Sequence, residues 1–179
     1  MPPVRRAAAG LRIAYRPETE SDQPFVASLY ASTRATEFAG LDWPEEALSA
    51  FLDQQHRAQH RHFRTVFPDG EWLIVEQGGR RIGRLYLNET GEHLHLVDII
   101  LRPESRGAGI GTAIVADLID QAHRAGKPVR LSVDKTNQGA ARLYRRLGFD
   151  AIDDRGIHEM MVCPAARTRG RSGAGSLVS

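Results

Sequence analysis

Runs of apolar residues with two different periods divide the chain into strands and helices. Strand-like segments, which are apolar continuously or at every second position, are predicted at residues 11–16, 71–77, 81–88, 94–101, 129–133, 149–154 and 156–162. Helix-like segments, which are apolar at every third or fourth position, are predicted at residues 21–40, 42–66, 110–125 and 137–147. The order β-α-α-β-β-β-α-β-α-β-β indicates an α/β fold with a mixed central sheet flanked by helices, in one domain over residues 11–162.

Glycine and polar residues mark where these elements begin and end. The pair Gly78-Gly79 separates two strand-like segments and is typical of a hairpin turn. Asn137 is suited to cap the last helix at its start, and Gly148 to end it. The strand–helix–strand run over residues 94–133 predicts a parallel strand pair with a right-handed crossover.

The two ends of the chain differ from the body in composition and charge. Residues 1–10 and 163–179 are rich in Ala, Gly, Ser and Arg, and we expect them to be disordered. These ends hold five arginines and no acidic residue, which leaves 19 Lys and Arg against 22 Asp and Glu in the body, a formal charge of −3. Because the basic charge lies at the ends rather than in a patch with interleaved aromatic residues, we expect no nucleic-acid partner.

Long apolar runs and cysteine pairs are both missing from the sequence. No run approaches the roughly 20 apolar residues that span a bilayer, and no signal-peptide core is present, so we expect a cytoplasmic protein without a membrane partner. The single cysteine, Cys163, excludes internal disulfides and a cysteine metal cluster. It is expected to be a surface or edge thiol just beyond the last strand. His56 and His60 lack the Glu of a zinc-binding helix, so no metal is expected, and both are expected on the solvated face of their helix or near its end.

The segment Arg106-Gly107-Ala108-Gly109-Ile110-Gly111-Thr112 lies between a predicted strand and a predicted helix. The first N–H groups of a helix have no helical partners and lie at the positive end of its dipole, so they favour an anion. The glycines let the backbone approach a bulky phosphate closely, and Arg106 adds a fixed positive charge. We therefore predict a pyrophosphate site. The glycine spacing does not match a dinucleotide-binding fingerprint, and the lysine of a P-loop is missing.

Two motifs resemble those of a known family. The order Arg-x-x-Gly-x-Gly at Arg106–Gly111 resembles the acetyl-CoA loop of the GCN5-related N-acetyltransferase (GNAT) family, in its small bacterial-type members. The series Asn137, Ala140, Leu143-Tyr144 and Gly148-Phe149 resembles the second hallmark of that family. The specific resemblance covers residues 93–162 and the general fold covers 11–162. It implies an acyl-CoA N-acyltransferase fold and direct transfer of an acetyl group from acetyl-CoA, as cosubstrate, to a primary amine of a small molecule or peptide.

The resemblance also implies which residues hold the cosubstrate. Strands 94–102 and 129–133 would splay, and the pantetheine amides would pair with the backbone of Ile99, Ile100 and Leu101. The pyrophosphate would lie on Gly107 to Thr112 and next to Arg106, and Asn137 would contact the cosubstrate as well as cap its helix. Tyr144 matches the family's general acid. A phenol with a pKa of about 10 is well matched to protonating a thiolate whose conjugate acid has a pKa of about 8.5.

The residue that removes the proton from the amine is less clearly indicated. His93 and His95 share one face of their strand, and His95 falls where some members of the family carry a catalytic Glu or His, so it ranks first. Asp98 ranks second: it either anchors the strand by hydrogen bonds or acts as the base through a water, if a bulge turns it toward the cleft. Proton loss to solvent through water ranks third. At another position that family members use, this sequence has Ser132, which cannot act as a base.

The sequence does not identify the acceptor substrate or the oligomeric state. Residues 21–67 usually shape the acceptor site in this fold and hold no signature that we recognise, so a small amine or polyamine, an aminoglycoside, a free amino acid and a protein N-terminus all remain. A catalytically silent acyl-CoA sensor or scaffold is the alternative function. A homodimer is compatible with the sequence because sheet edges need protection.

Overall fold

The computed structural model describes residues 10–40 and 42–166, which form seven strands and four α-helices. The strands are β1 (Ile13–Pro17), β2 (Glu71–Gln77), β3 (Arg80–Glu89), β4 (Leu94–Leu101), β5 (Val129–Asp134), β6 (Asp150–Arg155) and β7 (His158–Cys163). The helices are α1 (Gln23–Phe38), α2 (Glu45–Val66), α3 (Ile110–Arg124) and α4 (Gln138–Arg146), with short 3-10 turns at Glu20–Asp22 and Pro103–Ser105.

All seven strands belong to one mixed sheet in the order β1-β2-β3-β4-β5-β7-β6. Only β4 and β5 pair in parallel, and every other neighbouring pair is antiparallel. The predicted order of elements and the predicted mixed sheet flanked by helices are therefore confirmed. The parallel pair is connected through α3, as the strand–helix–strand pattern requires.

Helices cover the two faces of the sheet separately. The larger apolar core lies on the α3 and α4 face, where Ile114, Leu118 and Phe149 pack against alternate residues of the strands. A smaller core on the opposite face contains Phe25, Val26, Leu29, Ile74 and Ile100. Helices α1 and α2 pack on this second face, where α1 contacts β3 and β4.

The parallel pair opens towards its carboxyl end. Only Leu94, His95 and Leu96 of β4 pair with β5, opposite Val129, Arg130 and Leu131. Beyond that point β4 continues to Leu101 and β5 to Asp134 without pairing to each other. The backbone groups along the gap have no partners in the ladder, so they are free to bind an extended ligand.

Two residues, Cys163 and His56, are more buried than the sequence predicts. Cys163 is the last residue of β7 and is buried, so the prediction of a surface thiol beyond the strand was wrong. His56 is buried on α2, so its predicted solvated position was also wrong. The predicted disorder at the termini concerns mainly residues 1–9 and 167–179, which lie outside the described residues.

Candidate active site

Two cavities meet at the gap between β4 and β5. The larger cavity has a volume of about 980 Å³ and extends between the glycine-rich loop and α4. The smaller has a volume of about 300 Å³ and lies on the side of α2. Five residues line both cavities, so the two spaces share a common wall at the gap: Ile99, Asp134, Asn137, Ala140 and Tyr144.

The glycine-rich loop has the geometry of an anion cradle. Gly107 and Gly109 have φ angles of 75° and 76°, which are strained for other residues, and a Cβ added to either would meet nothing within 4 Å. Helix α3 begins at Ile110, and Ala113 is the first residue to donate its N–H back, to the carbonyl of Gly109. The N–H groups of residues 110–112 therefore have no helical partners. These N–H groups can therefore bind an anion in the larger cavity, at the place predicted for a pyrophosphate.

Arg106 is fixed at the base of this loop. Its Nε donates to the carbonyl oxygen of Leu101 at 2.9 Å, and its Nη2 donates to Ser32 Oγ at 3.0 Å. Because the Leu101 carbonyl already accepts this bond, it is less available to a pantetheine amide than Ile99 or Ile100. Arg106 and Leu101 both line the larger cavity.

The loop residues that do not line the larger cavity are Ala108 and Ile110. The Ile110 side chain is buried in the core, so only its backbone N–H can serve a ligand.

Helix α4 brings Asn137 and Tyr144 to the gap. Asn137 is the N-cap, and its side chain accepts the N–H of Ala140 at 3.1 Å, which confirms the predicted cap. Tyr144 is 9% exposed and its ring packs 5.6 Å from that of Phe149. Burial, assisted by the negative charge of Asp98, raises the pKa of Tyr144 to about 12, so the phenol keeps its proton at neutral pH.

Asp98 lines the smaller cavity and is held by a buried arginine. Its Oδ2 accepts Nε of Arg84 at 2.7 Å, and Arg84 is 1% exposed. Nη2 of Arg84 also donates to Oε1 of Gln59 on α2 at 2.9 Å. Among residues 10–40 and 42–166, no donor contacts the other carboxylate oxygen, Oδ1. One oxygen of Asp98 is thus fixed and the other is available to a ligand.

His95, the first-ranked base, lies outside both cavities. Its ring packs 5.1 Å from that of Phe67 at the end of α2. Burial, together with the positive charges of His93 and Arg130, lowers the pKa of His95 to about 4. Its role as a base stays a prediction, but the structure brings Asp98, not His95, to the cavity that Tyr144 lines.

The sequence argument missed three residues of the smaller cavity or its support: Gln59, Arg84 and His158. Arg84 carried a signal, because it is a single charge within the otherwise apolar run of β3. A charge in such a place is retained only with a partner. Gln59 and His158 come from α2 and β7, and no local pattern shows that these elements meet at the cavity.

The described residues contain neither a metal-binding group nor a membrane-spanning helix. Within residues 10–40 and 42–166, no three His, Cys, Asp or Glu side chains are grouped so that they could hold a metal ion. In the same part of the chain, no helix is both long and apolar enough to cross a membrane.

Known proteins resemble this chain in sequence. The sequence model described as the acetyltransferase (GNAT) family matches residues 28–149. Mycothiol acetyltransferase of Thermobifida fusca is 30% identical over 129 residues, which cover 66% of this chain and 38% of that protein. Spermidine N(1)-acetyltransferase of Escherichia coli K12 is 29% identical over 126 residues, which cover 67% of this chain and 64% of that protein. The chain thus spans about two fifths to two thirds of the length of these relatives.

Solved structures share the fold. An N-acetyltransferase of Thermoplasma acidophilum in complex with coenzyme A superimposes with a TM-score of 0.63 at 18% identity, covering 85% of this chain and 98% of that one. A ribosomal L7/L12 α-N-protein acetyltransferase, also in complex with coenzyme A, has a TM-score of 0.59 at 16% identity, covering 86% and 95%. At these identities the likeness establishes the fold alone.

Proposed function

Because the chain belongs to the acetyltransferase (GNAT) family, we propose that it transfers an acetyl group from acetyl-CoA to a primary amine of a small molecule or peptide. The observation that carries this proposal is the position of Tyr144, which lines both the cavity with the glycine-rich loop and the cavity with Asp98. A proton donor thus stands where a cosubstrate entering from one side would meet an acceptor from the other.

The known activities named for relatives support an amine as acceptor. They include acetyltransferases of mycothiol, of spermidine at N1 and of thialysine at its ε-nitrogen, and two structural neighbours contain coenzyme A. These acceptors differ widely in size and charge, so the names support the reaction class more than any one acceptor.

In the proposed reaction, the loop and the open strand edge hold acetyl-CoA. The N–H groups of residues 110–112 bind the pyrophosphate, and the edge of β4 at Ile99 and Ile100, which pairs with β3 but not with β5, binds the pantetheine arm. A backbone N–H of this strand edge, at Ile99 or Ile100, stabilises the negative charge that develops on the thioester oxygen. Asn137 contacts the arm from the start of α4.

Two side chains of the smaller cavity then move protons. Asp98 accepts a proton from the ammonium form of the acceptor through Oδ1, directly or through one water. The amine nitrogen attacks the thioester carbon, a C–N bond forms and the C–S bond breaks. Tyr144 gives its proton to the departing sulfur, and the second proton of the attacking nitrogen returns through water to the phenolate; Asp98 releases the first proton to solvent. The products are the N-acetylated acceptor and free coenzyme A.

A thiol-release assay tests this proposal. Acetyl-CoA is supplied with a panel of amines, peptides and aminoglycosides, and its binding is measured in parallel by calorimetry. We expect Tyr144→Phe to lower kcat by about 100-fold or more while acetyl-CoA still binds. Tyr30→Phe is the matched control, because Tyr30 is equally buried on α1 and lines neither cavity. Binding without turnover on any acceptor would instead support the silent sensor, and absence of binding would contradict the cosubstrate site.

A second pair of variants distinguishes the two candidate bases, Asp98 and His95. We expect Asp98→Asn to lower kcat with every acceptor and His95→Gln to leave kcat unchanged with acceptors that carry no anionic group, because only Asp98 lines the cavity. The reverse pattern would restore His95 as the base.

A further inference from the structure

Two basic side chains lie next to the smaller cavity at the point where β4 and β5 still pair. His95 and Arg130 are opposite each other in the parallel register, one residue before the positions at which the cavity begins. We propose that Arg130 and His95 bind an anionic group of the acceptor, a carboxylate or a phosphate, while its amine lies at Asp98. This inference rests on the proposed function, which it deepens by defining a class of acceptor.

The register places both side chains on the face of the sheet that carries the smaller cavity. Val129, Leu131 and Val133 are buried in the core with α3, so Arg130 and Ser132 lie on the opposite face. Ser132 lines the smaller cavity and is exposed. His95 contacts Phe67 at the end of α2, which is on the same side. Both basic residues therefore lie on the face of the sheet that carries the smaller cavity, next to its Leu96 and Leu131 end.

Arg130 has the environment of an arginine that lacks its partner. Among the residues that the structure describes, no carboxylate lies within ion-pair distance of Arg130, and its Nε is inaccessible to solvent without a hydrogen-bond partner. By contrast, the buried Arg84 is paired with Asp98, and Lys127 is paired with Glu89. Because an unpaired donor out of contact with water destabilises the protein, a bound anion would satisfy a group that the described chain leaves open.

His95 fits the same interpretation. Its ring lies 6.3 Å from that of His93, and burial first, then the positive charges of His93 and Arg130, lower its pKa. A bound anion would offset that repulsion, so His95 would accept a proton as the anion binds and donate a second hydrogen bond to it. Glu92, in the turn between β3 and β4, acts on His93.

Strand geometry sets the spacing between the two ends of the acceptor. Residues two apart on β5, such as Arg130 and Ser132, are separated by about 7 Å, and residues four apart by about 13 Å. Asp98 lies on β4 beyond the last paired position, three residues after His95, which corresponds to up to about 10 Å along the strand. The acceptor should therefore carry its amine and its anionic group on a spacer of several bonds, as an ω-amino acid or a short peptide with a free carboxylate does. The adjacent groups of an α-amino acid are too close together, and a polyamine has no anionic group.

The test uses ω-amino carboxylates of increasing chain length, each compared with its neutral amide and with the corresponding ω-aminoalkyl phosphate. With saturating acetyl-CoA, we expect kcat/KM to be about 10-fold to 100-fold higher for the best carboxylate or phosphate than for the matching amide. Arg130→Gln should remove this preference and leave the amide rate and the binding of acetyl-CoA unchanged. Arg142→Gln is the control, because Arg142 is exposed on α4 and lines neither cavity.

A binding measurement separates this inference from the proposed function. Calorimetry of the carboxylates and amides needs no turnover, and NMR of the His95 ring should show its pKa rising when a carboxylate or phosphate binds. Binding that depends on Arg130 without any acetyl transfer would contradict the proposed function and support the anion site. Equal binding of carboxylate, phosphate and amide, or an equal effect of Arg130→Gln on all three, would overturn the anion site. Whichever of the carboxylate and the phosphate binds with the higher affinity would show which group the acceptor carries.

Discussion

The guanidinium of Arg84 donates through Nε to Oδ2 of Asp98 at 2.7 Å, and it does so while almost fully buried between α2 and the sheet. The same guanidinium lies 4.8 Å from the centre of the Tyr86 ring and reaches Gln59 on α2. Strand β3 and helix α2 are thereby connected to the carboxylate on β4 that faces the smaller cavity. Arg84 is a positioning residue, because it holds Asp98 without lining either cavity itself.

Removal of Arg84 should destabilise the fold strongly. Arg84→Leu leaves the Asp98 carboxylate and the Gln59 amide without their partner, so we expect a loss of about 3 kcal/mol in the free energy of unfolding, measured with denaturant. Arg155→Leu, which breaks the exposed pair with Asp153, should lose less than about 1 kcal/mol. The double variant Arg84→Leu/Asp98→Leu should recover part of the loss. Equal losses in Arg84→Leu and Arg155→Leu would contradict a structural role for the buried pair.

The glycine-rich loop allows a matched test of cosubstrate binding. Gly109 in the loop and Gly79 in the β2–β3 turn have φ angles of 76° and 78°, and a Cβ added to either meets nothing within 4 Å. Gly109→Ala and Gly79→Ala should therefore lose similar stability, about 1 kcal/mol, from the same backbone strain. Only Gly109→Ala places a methyl group where the pyrophosphate would lie, so acetyl-CoA affinity should fall at least about 10-fold in that variant alone. Equal affinities by calorimetry would contradict a pyrophosphate at this loop.

Local patterns in the sequence were sufficient to predict most of the fold. The two glycines at 78–79, the apolar run of β4 and the helical spacing of α3 each determine an element from its own residues, and their order then limits the topology. Tyr144 and the loop were predicted because short motifs carry them. The position of Cys163 was misjudged because the strand continues one residue beyond its apolar run.

The positions of His95 and Asp98 relative to the cavity could not be predicted from the alternation of β4, because a bulge changes which residues share a face. In β4 the register shifts between the pairs Tyr86–Asp98 and Leu87–Leu96, so Val97 is the extra residue. Strict alternation would put His95 and Asp98 on opposite faces, whereas the bulge puts them on the same face. A bulge depends on how the partner strand pairs, and that information is not contained in β4 itself.

Gly83 should be a sensitive position between β3 and β4. A Cβ added there would collide with the carbonyl oxygen of Ile100 and would lie 2.7 Å from the Leu101 side chain. Gly83→Ala must therefore move β4 at the residues proposed to bind the pantetheine arm. We expect a loss of about 1–3 kcal/mol in stability and a lower affinity for acetyl-CoA. Gly91→Ala, where an added Cβ meets nothing within 4 Å, should change neither stability nor affinity. If Gly83→Ala also left both unchanged, β3 and β4 would be able to move apart without loss of stability.

The buried His56 should make the protein lose stability in mild acid. Burial first, and then the positive charge of Arg84, lowers the pKa of His56 to about 4 in the folded protein, from about 6.5 in an unfolded chain. Its ring nitrogens have no hydrogen-bond partners among the described residues, so the folded state holds the neutral ring. As the pH falls from 6.5 to 4, the unfolded chain takes up the proton first, and stability that is fully present above pH 6.5 decreases by up to about 3 kcal/mol.

A variant at this position isolates the contribution of His56. His95 has a similarly lowered pKa and contributes a comparable loss in every variant, so the informative quantity is the change of slope. Denaturant unfolding from pH 7 to pH 4 should show a shallower loss for His56→Leu than for the wild type. His62→Leu, at an exposed position on the same helix, should retain the full slope. If His56→Leu loses stability as steeply as the wild type, protonation of His56 is not what weakens the packing of α2 on the sheet.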